Sequence, residues 1–89
     1  MGLKEDFDLY AEKVKSLPTA TNEDLLILYG LFKQATVGNV NTDRPGLFDP
    51  KGKAKWDAWK GNEGKSQDDA MSDYITKAKQ LLEAAGLPA

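Results

Sequence analysis

The chain reads as an all-α domain of four helices, a bundle with one long loop between the second and third. Three observations carry this reading. Apolar residues recur at spacings of three and four in separate stretches. Most of these stretches open on a residue type that caps helix N-termini. No stretch shows the alternation of period two that a strand needs.

The first helix is expected from Leu3 to Leu17, with Phe7, Tyr10, Ala11, Val14 and Leu17 on one stripe. Pro18 ends it. Glu5 and Asp6 at its start and Lys13 and Lys15 near its end complement the helix dipole. Thr21 or Asn22 caps the second helix, whose body from Leu25 to Ala35 is apolar nearly all round. In a small domain such a helix is either central or turns one side to a ligand.

From Thr36 to Phe48 no helical or strand period appears, and loops of this length are usually functional or disordered. Val37, Val40, Leu47 and Phe48 are expected to anchor it as an ordered functional loop. Asp49 as N-cap and Pro50 at the first position open a third helix, which runs to about Lys60, and Gly61 and Gly64 punctuate its exit. Ser66, with Asp69 three residues on, opens the last and longest helix. Its apolar stripe runs through Ala70, Met71, Tyr74, Ile75, Ala78, Leu81, Leu82 and Ala85 to a stop at Gly86, and it is expected to pack on the first helix.

Eighty-nine residues are expected to form one domain over 1–89, with little room for a deep catalytic cavity. The chain has neither cysteine nor histidine. Thiolate chemistry, disulfides, histidine-dependent triads and the commonest metal ligand are therefore closed to it. A net charge of −2 with a single arginine, Arg44, argues against nucleic acid as a partner. No apolar run reaches the length of a membrane span and no signal-peptide pattern is visible, so a cytoplasmic location is expected. Gly64–Ser66 has the GKS of a nucleotide-binding loop without its first glycine or preceding strand. The acidic pairs Glu23–Asp24 and Asp68–Asp69 stand at helix starts, where they serve the dipole rather than acid–base chemistry.

What remains is a concentration of lysine and tryptophan. Asp49 to Lys60, DPKGKAKWDAWK, holds four lysines and both tryptophans. On a helix Lys51 and Lys55 share a face that Trp59 continues, and Trp56 lies on its flank beside Gly52. Tyr29 and Lys33, four apart with Phe32 beside them, form a second lysine–aromatic pair. Lys53 and Lys60 face elsewhere and read as solvated. A cationic edge beside an aromatic wall suits a ligand with phosphates at one end and a flat or greasy group at the other. By spacing alone, Tyr74 reads as a core tyrosine.

Several motifs then form a pattern. Tyr29–Gly38 (YGLFKQATVG), Asn41–Gly46 (NTDRPG), Lys51–Trp59 (KGKAKWDAW) and Asp69–Ile75 (DAMSDYI) closely resemble the acyl-CoA-binding protein family, in the right order over nearly the whole chain. The opening MGL and the segment NEDLLILYGL look most like its small plant members. The resemblance implies an up-down-down-up four-helix bundle that binds medium- to long-chain fatty acyl-CoA esters noncovalently as carrier and pool, without catalysis, metal or cofactor. It implies that Tyr29, Lys33 and Lys55 hold the adenosine 3′-phosphate end, that Lys51 assists, and that Tyr74 lines the site. Lys15 matches a rim lysine, and Gly30, Leu31 and Phe32 fall in the binding segment. Phe32 stands where many members carry tyrosine, which keeps ring contact without a hydroxyl. Leu25 and Ala54 are assigned to the acyl chain. A monomer is expected, with room for transient contact with acyl-CoA-using enzymes or membranes. Two rivals remain open: a helical interaction module docking an acidic protein through the lysine–aromatic surface, and a thioesterase.

Overall fold

The computed structural model describes residues 2–89. Four helices are present, α1 (Leu3–Lys13), α2 (Asn22–Thr36), α3 (Pro50–Lys60) and α4 (Gln67–Ala84), and the described residues contain no strand. The all-α four-helix bundle with a long loop between α2 and α3 is thus the observed architecture. The first helix is shorter than its apolar stripe suggests. It gives way after Lys13 to a 3-10 turn over Val14–Ser16, because the chain must tighten before the extended Leu17 that precedes Pro18.

Side chains close the helix starts where the sequence places capping residues. Thr21 accepts from the Asp24 N–H, Asp49 from the Gly52 N–H and Ser66 from the Asp69 N–H. At the far end of α4, Gly86 takes φ +75°. Its N–H reaches the Glu83 carbonyl at 3.0 Å, and the Leu87 N–H reaches Leu82 at 2.9 Å. That paired closure needs a left-handed residue, which glycine supplies without strain.

α4 packs against α1 on one side and α2 on the other, whereas α3 packs on α2 alone. The helices form a slab with Cα extents of 39 × 28 × 15 Å. Its core lies along α1, α2 and α4, where Phe7, Tyr10, Leu28, Leu31, Ala35, Tyr74 and Leu82 are buried. Ala70 and Ala78 are fully buried on α4. Ala11, Val14, Leu17, Ile75 and Leu81 pack around this cluster, so the expected first-to-last helix interface forms. Phe7 is its centre: its ring stacks on Phe32 at 5.6 Å and meets the Tyr74 ring edge-on at 5.0 Å.

The loop of residues 37–49 is ordered by polar contacts rather than by its apolar residues. Leu47 and Phe48 are 83% and 102% exposed, Val37 is exposed, and only Val40 is partly covered. Hydrogen bonds hold the loop instead. The Trp59 indole donates to the Gly38 carbonyl at 2.7 Å and the Trp56 indole to Thr42 at 3.0 Å. Arg44 makes a bidentate pair with Asp57 at 2.9 and 2.8 Å. Asn39 accepts from the buried Gln34 side chain and from the Gly64 N–H, both at 2.9 Å. The tryptophans are framework, and their N–H groups are what fix the loop to α3.

Candidate functional site

Because α3 rests on α2 alone, the groove where they diverge is not filled by a third helix. A hollow of about 440 Å³ opens there, lined by Asn22, Leu25, Leu26 and Tyr29 from α2 and by Pro50, Lys51, Ala54 and Lys55 from α3. Of the residues that the resemblance assigns to the site, the fold brings Tyr29, Lys51, Lys55, Leu25 and Ala54 together at this hollow and leaves Lys33 outside its lining. Leu25 is 52% exposed although it belongs to the most apolar helix, so half of its greasy surface has no protein partner.

Crossed cation–π pairs join the two helices. Lys55 from α3 lies 5.5 Å from the Tyr29 ring centre, and Lys33 from α2 lies 4.8 Å from that of Trp59. Each lysine is held against an aromatic face of the opposite helix while its ammonium keeps free donors. Among the described residues, no carboxylate lies within ion-pair distance of Lys33, Lys51 or Lys55. Lys60 and Lys65, by contrast, are paired with Glu63 and Asp73. Two of these cations, Lys51 and Lys55, border the apolar hollow, whereas Lys33 lies over Trp59 and does not line it. The two beside bare apolar surface form a site for an amphipathic anion.

Gly30 controls how closely the helices cross. A Cβ there would drive well inside van der Waals contact with the Ala58 carbonyl oxygen. Only glycine lets α3 approach near enough for Lys55 to reach Tyr29. Gly30 is therefore buried at the crossing and does not line the hollow, and neither does Leu31, which belongs to the core.

The other expected positions fall elsewhere. Lys15 pairs with Glu12 at 3.0 Å and is exposed outside the hollow. Phe32 is partly exposed and bridges toward Phe7 and Tyr74, with 6.2 Å between the Phe32 and Tyr74 ring centres. Tyr74 is only 4% exposed, and burial raises the pKa of its hydroxyl above the ordinary tyrosine value. The core reading of Tyr74 is the one its packing matches. Lys53, expected to be fully solvated, is half-buried.

Asn22, Leu26 and Pro50 are lining residues that the sequence reading missed. Leu26 lies in a helix apolar all round, where periodicity does not separate core from site, and Pro50 reads as a helix starter. Leu26 also walls a second, open hollow of about 390 Å³ on the other side of the crossing, where Ile27, Leu31 and Ala58 face Asp57 and Asp73. No group of three or more metal-ligating side chains occurs among the described residues.

Fold and site together define a small helical binding protein with a lysine-edged apolar groove. Residues 4–78 match the family described as acyl CoA binding protein. The chain is 69% identical to an acyl-CoA-binding protein of Gossypium hirsutum over 97% of this chain and 98% of that protein. It is 73% identical to one of Brassica napus over 94% and 92%. Among solved structures, the crystal structure of Oryza sativa acyl-CoA-binding protein 2 superposes with a TM-score of 0.93 at 64% identity, covering 97% of this chain and 95% of that one. The chain belongs to the acyl-CoA-binding protein family.

Proposed function

We propose that this protein binds fatty acyl-CoA esters noncovalently and acts as their intracellular carrier and pool. Its family is one of binding proteins, so the task is capture and release rather than turnover. The observation that carries the reading is the hollow itself, which sets Lys51 and Lys55, both without carboxylate partners, beside Leu25, Leu26 and Ala54. Phosphates of the coenzyme meet the ammonium groups, and the acyl chain covers the apolar wall that the protein leaves open.

Within this reading Tyr29, Lys33 and Lys55 hold the adenosine 3′-phosphate end. The cation–π pairs support that assignment, because they pre-order Lys55 on Tyr29 at the groove and Lys33 on Trp59 beyond it, which lowers the entropy cost of binding. Lys51 assists at the phosphates. Leu25 and Ala54 take the acyl chain, with Leu26 as its inner wall. Lys15 at the rim, and Phe32 with Tyr74 on the α1–α4 side, complete the proposed contacts. Gly30 and Leu31 serve by position rather than by touching ligand. The protein works as a monomer in the cytoplasm, needs no metal or cofactor, and meets acyl-CoA-using enzymes or membranes only transiently. No helix of the described residues is long and apolar enough to cross a membrane.

Titration calorimetry with acyl-CoAs of increasing length tests the reading. Each methylene that enters the groove is worth about 0.8 kcal/mol, so affinity rises about fourfold per added methylene until the wall is covered. Equal weak binding of free CoA and palmitoyl-CoA would refute it. Quantitative recovery of the thioester after incubation excludes hydrolysis.

A further inference from the structure

The turn before α3 carries the two most exposed large apolar side chains of the protein. The Asp49 N–H donates to the Gly46 carbonyl at 3.1 Å, which puts Leu47 and Phe48 at the two central positions of a hydrogen-bonded turn. Such positions usually hold glycine, proline, asparagine or aspartate. Here both side chains stand in water, Phe48 completely. The turn is also stiff. Pro45 and Pro50 flank it, and Asp49 is fixed as N-cap of α3 by the Gly52 N–H at 2.9 Å.

The charge around the turn opposes that of the whole chain. Residues 43–55 hold Arg44, Lys51, Lys53 and Lys55 against Asp43 and Asp49, in a chain of net charge −2. Arg44 is paired with Asp57 and Asp49 caps α3, whereas among the described residues Lys51, Lys53 and Lys55 form no salt bridge, Lys53 acting on Asp57 only at longer range. A rigid apolar tip beside uncompensated lysines is complementary to an anionic lipid surface. Such a surface takes side chains into its headgroup boundary and offers phosphates to lysine. Pro50 and Lys51, two and three residues beyond Phe48, line the hollow, so docking this turn sets that part of the groove against the lipid.

We propose that the Leu47–Phe48 turn docks the protein on anionic lipid surfaces with its groove at the membrane, so that an acyl chain passes between bilayer and protein without crossing bulk water. The transfer step rests on the carrier reading; the docking step does not.

Docking is tested with ligand-free protein, sedimented with phosphatidylcholine vesicles with and without phosphatidylglycerol, beside a variant carrying Leu47→Ser and Phe48→Ser. Both residues are exposed, so unchanged far-UV circular dichroism is expected of the variant. The wild type should partition onto the anionic vesicles, less so at high salt, and the variant's partition coefficient should fall by about tenfold or more. Solution affinity for acyl-CoA should be the same for both. A wild type that stays in the supernatant, or a variant that partitions equally, overturns the proposal. So does concentration-dependent dimerisation that the variant abolishes without any vesicle binding, which would assign the turn to a second copy of the chain. Vesicle docking with no acyl-CoA binding in solution would sink the carrier reading and leave the docking intact.

Discussion

On the side of α2 that meets α1 and α4, Leu28, Leu31 and Ala35 interlock with Phe7, Tyr74, Ala78 and Leu82, and the protein fills its own volume. On the side that meets α3, Leu25 is half bare, Lys51 and Lys55 lack carboxylates, and a hollow of about 440 Å³ stays open. One helix thus serves two interfaces with opposite economies. The first stabilises the fold through buried area. The second withholds contacts that only a bound molecule can complete, and it is kept in shape by a glycine at the crossing and by hydrogen bonds from two indoles and an arginine. Stability and binding should therefore respond to different residues.

Truncating the filled side gives the largest effect. Phe7→Ala or Leu82→Ala removes a fully buried side chain and should cost about 3–5 kcal/mol in urea unfolding. A loss below about 1 kcal/mol would mean that this core is not the one that holds the bundle. Lys55→Ala and Lys33→Ala cut the other way. Each should weaken acyl-CoA binding by about tenfold to a hundredfold, the worth of a hydrogen bond to a charged group. Their unfolding free energies should stay within about 0.5 kcal/mol of wild type. Unchanged affinity would remove that lysine from the site.

Gly30→Ala sharpens the division, because it changes the crossing and adds nothing charged. The added methyl should push α3 off α2, at about 1–3 kcal/mol from overpacking, and weaken binding while the Phe7 ring environment in NMR spectra persists. If α1 and α4 shift as well, the two interfaces are not separable. Tyr74→Phe should leave helicity intact and reduce affinity modestly; no change in affinity would leave Tyr74 to the core alone.

The smallest effect is on pH. The Arg44 guanidinium holds the Asp57 carboxyl below the usual carboxylate range, and Lys77 does the same for Asp24. Both folded-state values are depressed, so these links stabilise the fold above the unfolded value of about 3.9 and are lost as pH falls through the folded value. Relative to the intrinsic exchange rate at each pH, amide protection in residues 39–46 should therefore fall below about pH 4, before the core opens, while binding near neutral pH shows no step from either group. Protection that persists until global unfolding would show that the indole and Asn39 bonds secure the loop without the Arg44–Asp57 pair.

By itself the sequence determined the helices, their caps and the residue types of the site. Thr21, Asp49 and Ser66 do what local chemistry requires of them, and periodicity is a local signal. It also determined that Lys51 and Lys55 share one face of α3, from which both reach the hollow beside Tyr29. Tertiary structure decided which apolar residues find a partner. Leu47 and Phe48 look like anchors in the sequence and stand in water. Leu26 belongs to a helix whose spacing leaves core and site unseparated, and it lines two hollows. Only the fold could show that a glycine sets the crossing of α2 and α3, or that tryptophan N–H groups tie the loop. Burial is a property of neighbours far away in the chain, and no spacing along one helix records how close another helix comes.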